Sequence, residues 1–102
     1  MVVNGRLYVF EEPIDLLSHI TLNPEGWEQH SYLACYGLST KPLLFRLEQQ
    51  PALNPVFLCL DNDPAGEAAC LRMATDLKAR GLFVQRLCPY GKDWNDELTR
   101  RH

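Results

Sequence analysis

At 102 residues, with 46% hydrophobic, 23% charged and 10% aromatic side chains, the chain has room for one globular domain, over residues 1–102, whose core needs no staples. No apolar run approaches the roughly 20 residues of a membrane span, and the first ten residues lack the charged-then-apolar pattern of a signal peptide, so a cytoplasmic protein without a membrane partner is expected. The net charge of −3 excludes a domain that grips nucleic acid by its own field; either the partner is something else, or metal ions and a neighbouring domain supply the positive charge.

The elements alternate short β-rich runs with amphipathic stretches, the pattern of βαβ units around a mostly parallel sheet. Leu7 to Phe10 reads as the first strand, and Val2-Val3 before Asn4-Gly5 can add a short N-terminal hairpin strand to it. Pro13 suits the first turn of a helix carrying Ile14, Leu16, Leu17 and Ile20 on its apolar face. Asn23 to Gly26 is loop, and Tyr32 to Tyr36 is a second strand closed by Gly37. Ser39 or Thr40 caps a helix from Lys41 to about Gln50. Val56 to Leu60 is apolar at every position, which marks a strand covered on both faces and central in the sheet. A helix from Pro64 to about Arg80 follows, with Ala65, Ala69, Met73 and Leu77 on one face and Gly81 placed to end it. Leu82 to Leu87 forms a fourth strand, and Trp94 to Thr99 a short final helix. Cys35, Cys59, Cys70 and Cys88 are scattered without a Cys-x-x-Cys pair, which argues against a zinc site or a disulfide framework and for a reducing compartment. His19 and His30 are isolated and read as surface residues.

The residues that carry chemistry stand at strand ends. The strand 56–60 runs into Asp61-Asn62-Asp63-Pro64-Ala65-Gly66. In extended chain, residues i and i+2 point to the same side about 7 Å apart, so Asp61 and Asp63 can share a cation or hold one each. Oxygen-only ligands favour Mg²⁺ or Mn²⁺ over zinc. The helix that begins there presents its first amides, near Gly66, as a phosphate site. A plain helix cap accounts for Asp63 but not for a second carboxylate on a central strand. The first strand ends similarly in Glu11-Glu12, with Asp15 one helical turn on. Both acidic groups meet only if strands one and three are neighbours at a topological switch point, which sets the sheet order 2-1-3-4. After the fourth strand, Lys92 offers a cation to a phosphate, and Asp93 either joins the acidic cluster or caps the last helix.

Three ordered segments, Phe10 to Ser18, Leu60 to Gly66 and Gly91 to Asp96, together resemble the Toprim domain of bacterial primases, type IA and type II topoisomerases, and several nucleases and recombination proteins. The closer resemblance is to the primase-like Toprim proteins of plasmids and conjugative elements. It implies a three-layer α/β/α Rossmann-like fold in which Glu11 is the acid/base residue, Asp61 and Asp63 coordinate Mg²⁺ beside Glu11, and Asp15 supports them. Glu12 departs from the Ser or Gly expected there. Since only the Toprim unit is present, the resemblance further implies a fragment of a longer protein or a reduced relative.

The expected function is therefore metal-dependent nucleotidyl transfer on nucleic acid, as in primer synthesis for a mobile element. The alternatives are phosphodiester cleavage and a non-catalytic DNA- or protein-binding module. A phosphatase-type Asp-x-Asp nucleophile ranks last, because Pro64 follows the motif and such enzymes have nothing like Glu11.

Overall fold

The computed structural model describes residues 5–101, so the Val2–Val3 hairpin strand lies outside the described residues. Four parallel strands, β1 (Leu7–Phe10), β2 (Ser31–Ala34), β3 (Val56–Leu58) and β4 (Val84–Arg86), form one sheet in the order β2-β1-β3-β4. The helices are α1 (Pro13–Leu22), α2 (Lys41–Gln49), α3 (Pro64–Ala79) and α4 (Trp94–Arg101), with a 3₁₀ turn at Trp27–Gln29. The expected order holds, and the central pair is β1 and β3, in register at Leu7–Val56 through Val9–Leu58. The β3 ladder continues one residue beyond the strand, where the Cys59 N–H donates to the Val9 carbonyl at 2.8 Å.

Alternation along the strands divides the core between the two faces of the sheet. Leu7, Val9, Val56 and Leu58 pack with Leu43 of α2 and with Ala69, Met73 and Leu77 of α3. Tyr8, Phe10 and Cys59 face the other way, against Trp94 of α4 and Leu16 of α1.

Local deviations from expectation have local causes. β2 stops at Ala34 because Tyr36 takes a left-handed conformation, with φ +55°. The Ser39 hydroxyl accepts from the Lys41 N–H at 3.2 Å at the start of α2. Gly81, at φ +84°, closes α3 by donating to the Lys78 carbonyl. Ala65 is exposed, and α3 instead buries Gly66 beside Ala69, Cys70, Met73 and Leu77. On α1 the expected apolar face holds at Leu16, which packs into the core, and fails at Ile14 and Leu17. Ile14 and Leu17 are 54% and 59% exposed, whereas Asp15, Ser18 and His19 are buried. The rotation follows from α4: the Asp15 carboxylate accepts from the Asn95 N–H, and the Ser18 hydroxyl donates to the Asn95 side chain. His19, expected at the surface, is 7% exposed in an aromatic cage with Tyr8, Phe10 and Trp94.

Candidate metal centre

Side chains from four places meet at the C-terminal edge of the sheet. Glu11 follows β1, Asp15 sits in the first turn of α1, Asp61 follows β3, and Asp93 precedes α4. Carboxylate oxygens of Asp15, Asp61 and Asp93 all lie within 4.8 Å of one another. Glu11 joins them through the backbone, its Oε2 accepting from the Asp61 N–H at 2.8 Å. That bond requires β1 and β3 to be adjacent, as they are.

The scaffold around the cluster is built from polar ties. Arg86, on β4, reaches across β3 and donates to the Leu60 carbonyl at 2.6 Å and the Asp61 carbonyl at 2.9 Å, while pairing with Glu67 of α3 at 3.0 Å. One guanidinium thus fixes the backbone that carries Asp61. The Asn62 N–H donates to the Lys92 carbonyl at 2.6 Å, and the Asn62 amide reaches the Pro89 and Gly91 carbonyls. These bonds seam the β3 loop to the loop before α4. Trp94 anchors that second loop from below, its indole N–H donating to the buried Cys59 carbonyl at 3.0 Å. Two glycines sit in close quarters, Gly66 against backbone and Gly91 against a side chain. A Cβ at Gly66 would run into the Asp61 carbonyl oxygen, and one at Gly91 into the Asp96 carboxylate, which accepts from the Lys92 N–H.

Burial and crowding raise the proton affinity of two of these acids, Asp61 and Asp15. Burial, the hydrogen bond and charge of Glu11, and the charges of Asp15 and Asp93 push Asp61 up to about 7. Burial also raises Asp15, opposed by the Asn95 N–H and reinforced by Asp93, Glu11 and Glu12. Asp61 Oδ1 is buried without a hydrogen-bond partner. An orphaned carboxylate oxygen among hard oxygen donors fits a divalent cation. The cluster is therefore consistent with a divalent metal site held by Asp15, Asp61 and Asp93.

The arrangement redistributes the roles read from the sequence. Glu11 and Asp61 lie together as expected, and Asp15 and Asp93 come closer to the centre than a supporting role implies. Asp63 leaves the cluster of three: its Oδ1 caps α3, accepting from the Gly66 N–H at 2.7 Å. The same bond takes the Gly66 amide that was expected to face a phosphate, so Gly66 serves close packing. Asp93 does both things the sequence allowed, because its Oδ1 also accepts from the Asp96 N–H at 2.8 Å and caps α4. Lys92 is exposed on the loop tied to Asn62. Arg86 was missed; a lone arginine in a short strand carries no sequence signal of a clamp.

A parallel α/β domain with carboxylates gathered at its central strand ends is the class that this fold and site define. A family model described as Toprim-like matches residues 8–98, and the chain belongs to that family. No curated protein matches the chain. Among solved structures it is similar to the primase fragment of the bacteriophage T7 primase-helicase protein, at 21% identity and a TM-score of 0.73. The match covers 96% of this chain and 40% of that one, and the likeness is one of fold.

Proposed function

We propose that the chain is a metal-dependent catalytic domain for nucleotidyl transfer on nucleic acid, primase-like, of the kind carried by plasmids and conjugative elements. In this reading it works in the cytoplasm beside further domains, with Mg²⁺ or Mn²⁺ as cofactor. The observation that carries the proposal is Asp61, a carboxyl pushed up to about 7 by burial and by its acidic neighbours, with one buried oxygen unpartnered at the end of a central strand. Strongly perturbed carboxyls in such a place mark functional sites.

Asp15, Asp61 and Asp93 would hold the ion, replacing the Glu11, Asp61 and Asp63 set expected from the sequence. When bound, the ion supplies charge neutralisation at a phosphate. Glu11, oriented by the Asp61 N–H, is positioned to take or return a proton. Lys92 stands on the loop seamed to Asn62 and offers a cation to the same phosphate.

The test is a titration of the 102-residue chain with Mg²⁺, and with Mn²⁺ as a paramagnetic probe, followed by amide resonances. Signals around Glu11, Asp15, Asp61 and Asp93 should move or broaden in the native chain and stay still in Asp61→Asn. A variant that responds like the native chain would remove Asp61 from the site. In a longer protein containing this domain, the same substitution should abolish primer synthesis from nucleotides.

A further inference from the structure

A second concave site lies away from the acidic cluster, near the N-terminal ends of β1 and β2 and the last turn of α1. It has a volume of about 290 Å³, at the small end for ligand pockets, and Arg6, Tyr8, His19, Asn23, Glu25 and Tyr32 line it together with His30 and Leu87. We propose that this cavity binds a nucleobase, specifically one bearing an exocyclic amino group.

The lining decides against other ligand chemistries. A metal ion would need converging ligand atoms, and among the described residues the three carboxylates of the acidic cluster are the one group that converges. A phosphate would need a free cation. Arg6 is the arginine of the lining, its Nη1 donating to the Tyr8 hydroxyl at 3.2 Å and its guanidinium lying 5.3 Å from the centre of the Phe57 ring, and its charge is offset by the Glu25 carboxylate of the same lining. Glu25, moreover, would repel an anion. A purely apolar ligand would seal in His19, whose Nδ1 is already buried without a hydrogen-bond partner, and leave that penalty in place.

A planar heterocycle answers each of these groups. Tyr32, Tyr8 and Phe57 stand as a stack across three strands, with centroids 5.4 and 5.0 Å apart and planes within 14° and 15° of parallel. Tyr32 belongs to β2, the edge strand of the sheet among the described residues, and a base can extend the stack there. Asn23 donates from Nδ2 to the His19 carbonyl, which leaves its Oδ1 for a ligand. The Glu25 carboxylate only accepts hydrogen bonds, so it selects a base with an amino group to give.

The site needs neither metal nor phosphate, which separates its test from that of the acidic cluster. The labelled 102-residue chain is titrated in EDTA with guanosine, adenosine, cytidine and uridine, and separately with a short single-stranded DNA. Nucleosides should shift the amides around residues 6, 8, 19, 23–25 and 32, with the amino-bearing ones tighter than uridine by about tenfold. Glu25→Gln, a change on an exposed loop, should remove that preference while leaving the melting temperature in place. Binding by nucleosides assigns the pocket to a free nucleotide's base; binding at the same residues by the oligonucleotide alone assigns it to a strand. Shifts confined to the residues around 11, 15, 61 and 93, no shifts at all, or uridine binding as tightly as guanosine would each overturn the proposal.

Discussion

At Asp61, burial and the carboxylates of Glu11, Asp15 and Asp93 all favour the proton. The folded-state value of about 7 stands above the ordinary 3.8, so between those limits the folded chain binds more protons than the unfolded one. The stability that Asp61 contributes is therefore present at low pH and is lost as pH rises through about 7. His19 and His30 act in the opposite sense, because burial lowers both and their protonation opposes folding as pH falls below 6.5. A comparison between variants isolates the aspartate. In EDTA, Asp61→Asn should melt above the native chain at pH 7.5, and the gap should close toward pH 4.5. Adding Mg²⁺ at pH 7.5 should raise the native melting temperature and leave the variant's unchanged. A gap that widens on acidification would reverse the assigned sign. The site was partly legible at this scale: Glu11 and Asp61 could be read because strand ends are where α/β sheets collect ligands. Asp63 could not be resolved, since a capping aspartate and a ligating one occupy the same position in sequence.

β4 is three residues long and half-buried, yet through Arg86 it governs the geometry of its neighbour. The guanidinium satisfies two carbonyls at the end of β3, where the chain leaves the ladder and would otherwise present them to a poorly solvated edge. Arg86→Leu removes charge-assisted bonds worth roughly 1.5–3 kcal/mol each, and a loss of about 3 kcal/mol of stability is expected on denaturant unfolding. The more specific expectation is that Mg²⁺ affinity falls in the folded variant, because Asp61 loses its fixed backbone. A variant destabilised but unchanged in Mg²⁺ affinity would reduce Arg86 to a structural residue. The same scale explains which elements could be read. The apolar run from Val56 to Leu60 marks a buried central strand, of which Val56–Leu58 form β3, and Pro13, Pro42 and Pro64 mark helix starts by fixing φ. The inner face of α1 was misread because periodicity counts apolar side chains. This helix turns Asp15, Ser18 and His19 inward to meet polar and aromatic groups supplied by α4, some 80 residues away.

Over the whole molecule, a net charge of −3 repels the polyanion that the acidic centre is proposed to serve. Phosphates can approach that edge only if the carboxylate charge is first offset. Metal should therefore act as a condition for phosphate contact as well as for chemistry. For the isolated chain, fluorescence anisotropy with single-stranded DNA at low salt should show weak binding in EDTA and a clear gain with Mg²⁺. Replacing Asp15 and Asp61 together by asparagine should have two opposite effects: repulsion falls, so metal-free binding strengthens, and the gain from Mg²⁺ disappears. Lys92→Ala should reduce the Mg²⁺-dependent gain with little effect on the melting temperature, since its side chain is exposed and makes none of the ion pairs among the described residues. Ordinary screening by a divalent salt predicts something else, because Mg²⁺ would then help the native chain and the double variant alike. Equal gains in the two proteins would mean that the acidic edge does not hold the ion that admits nucleic acid.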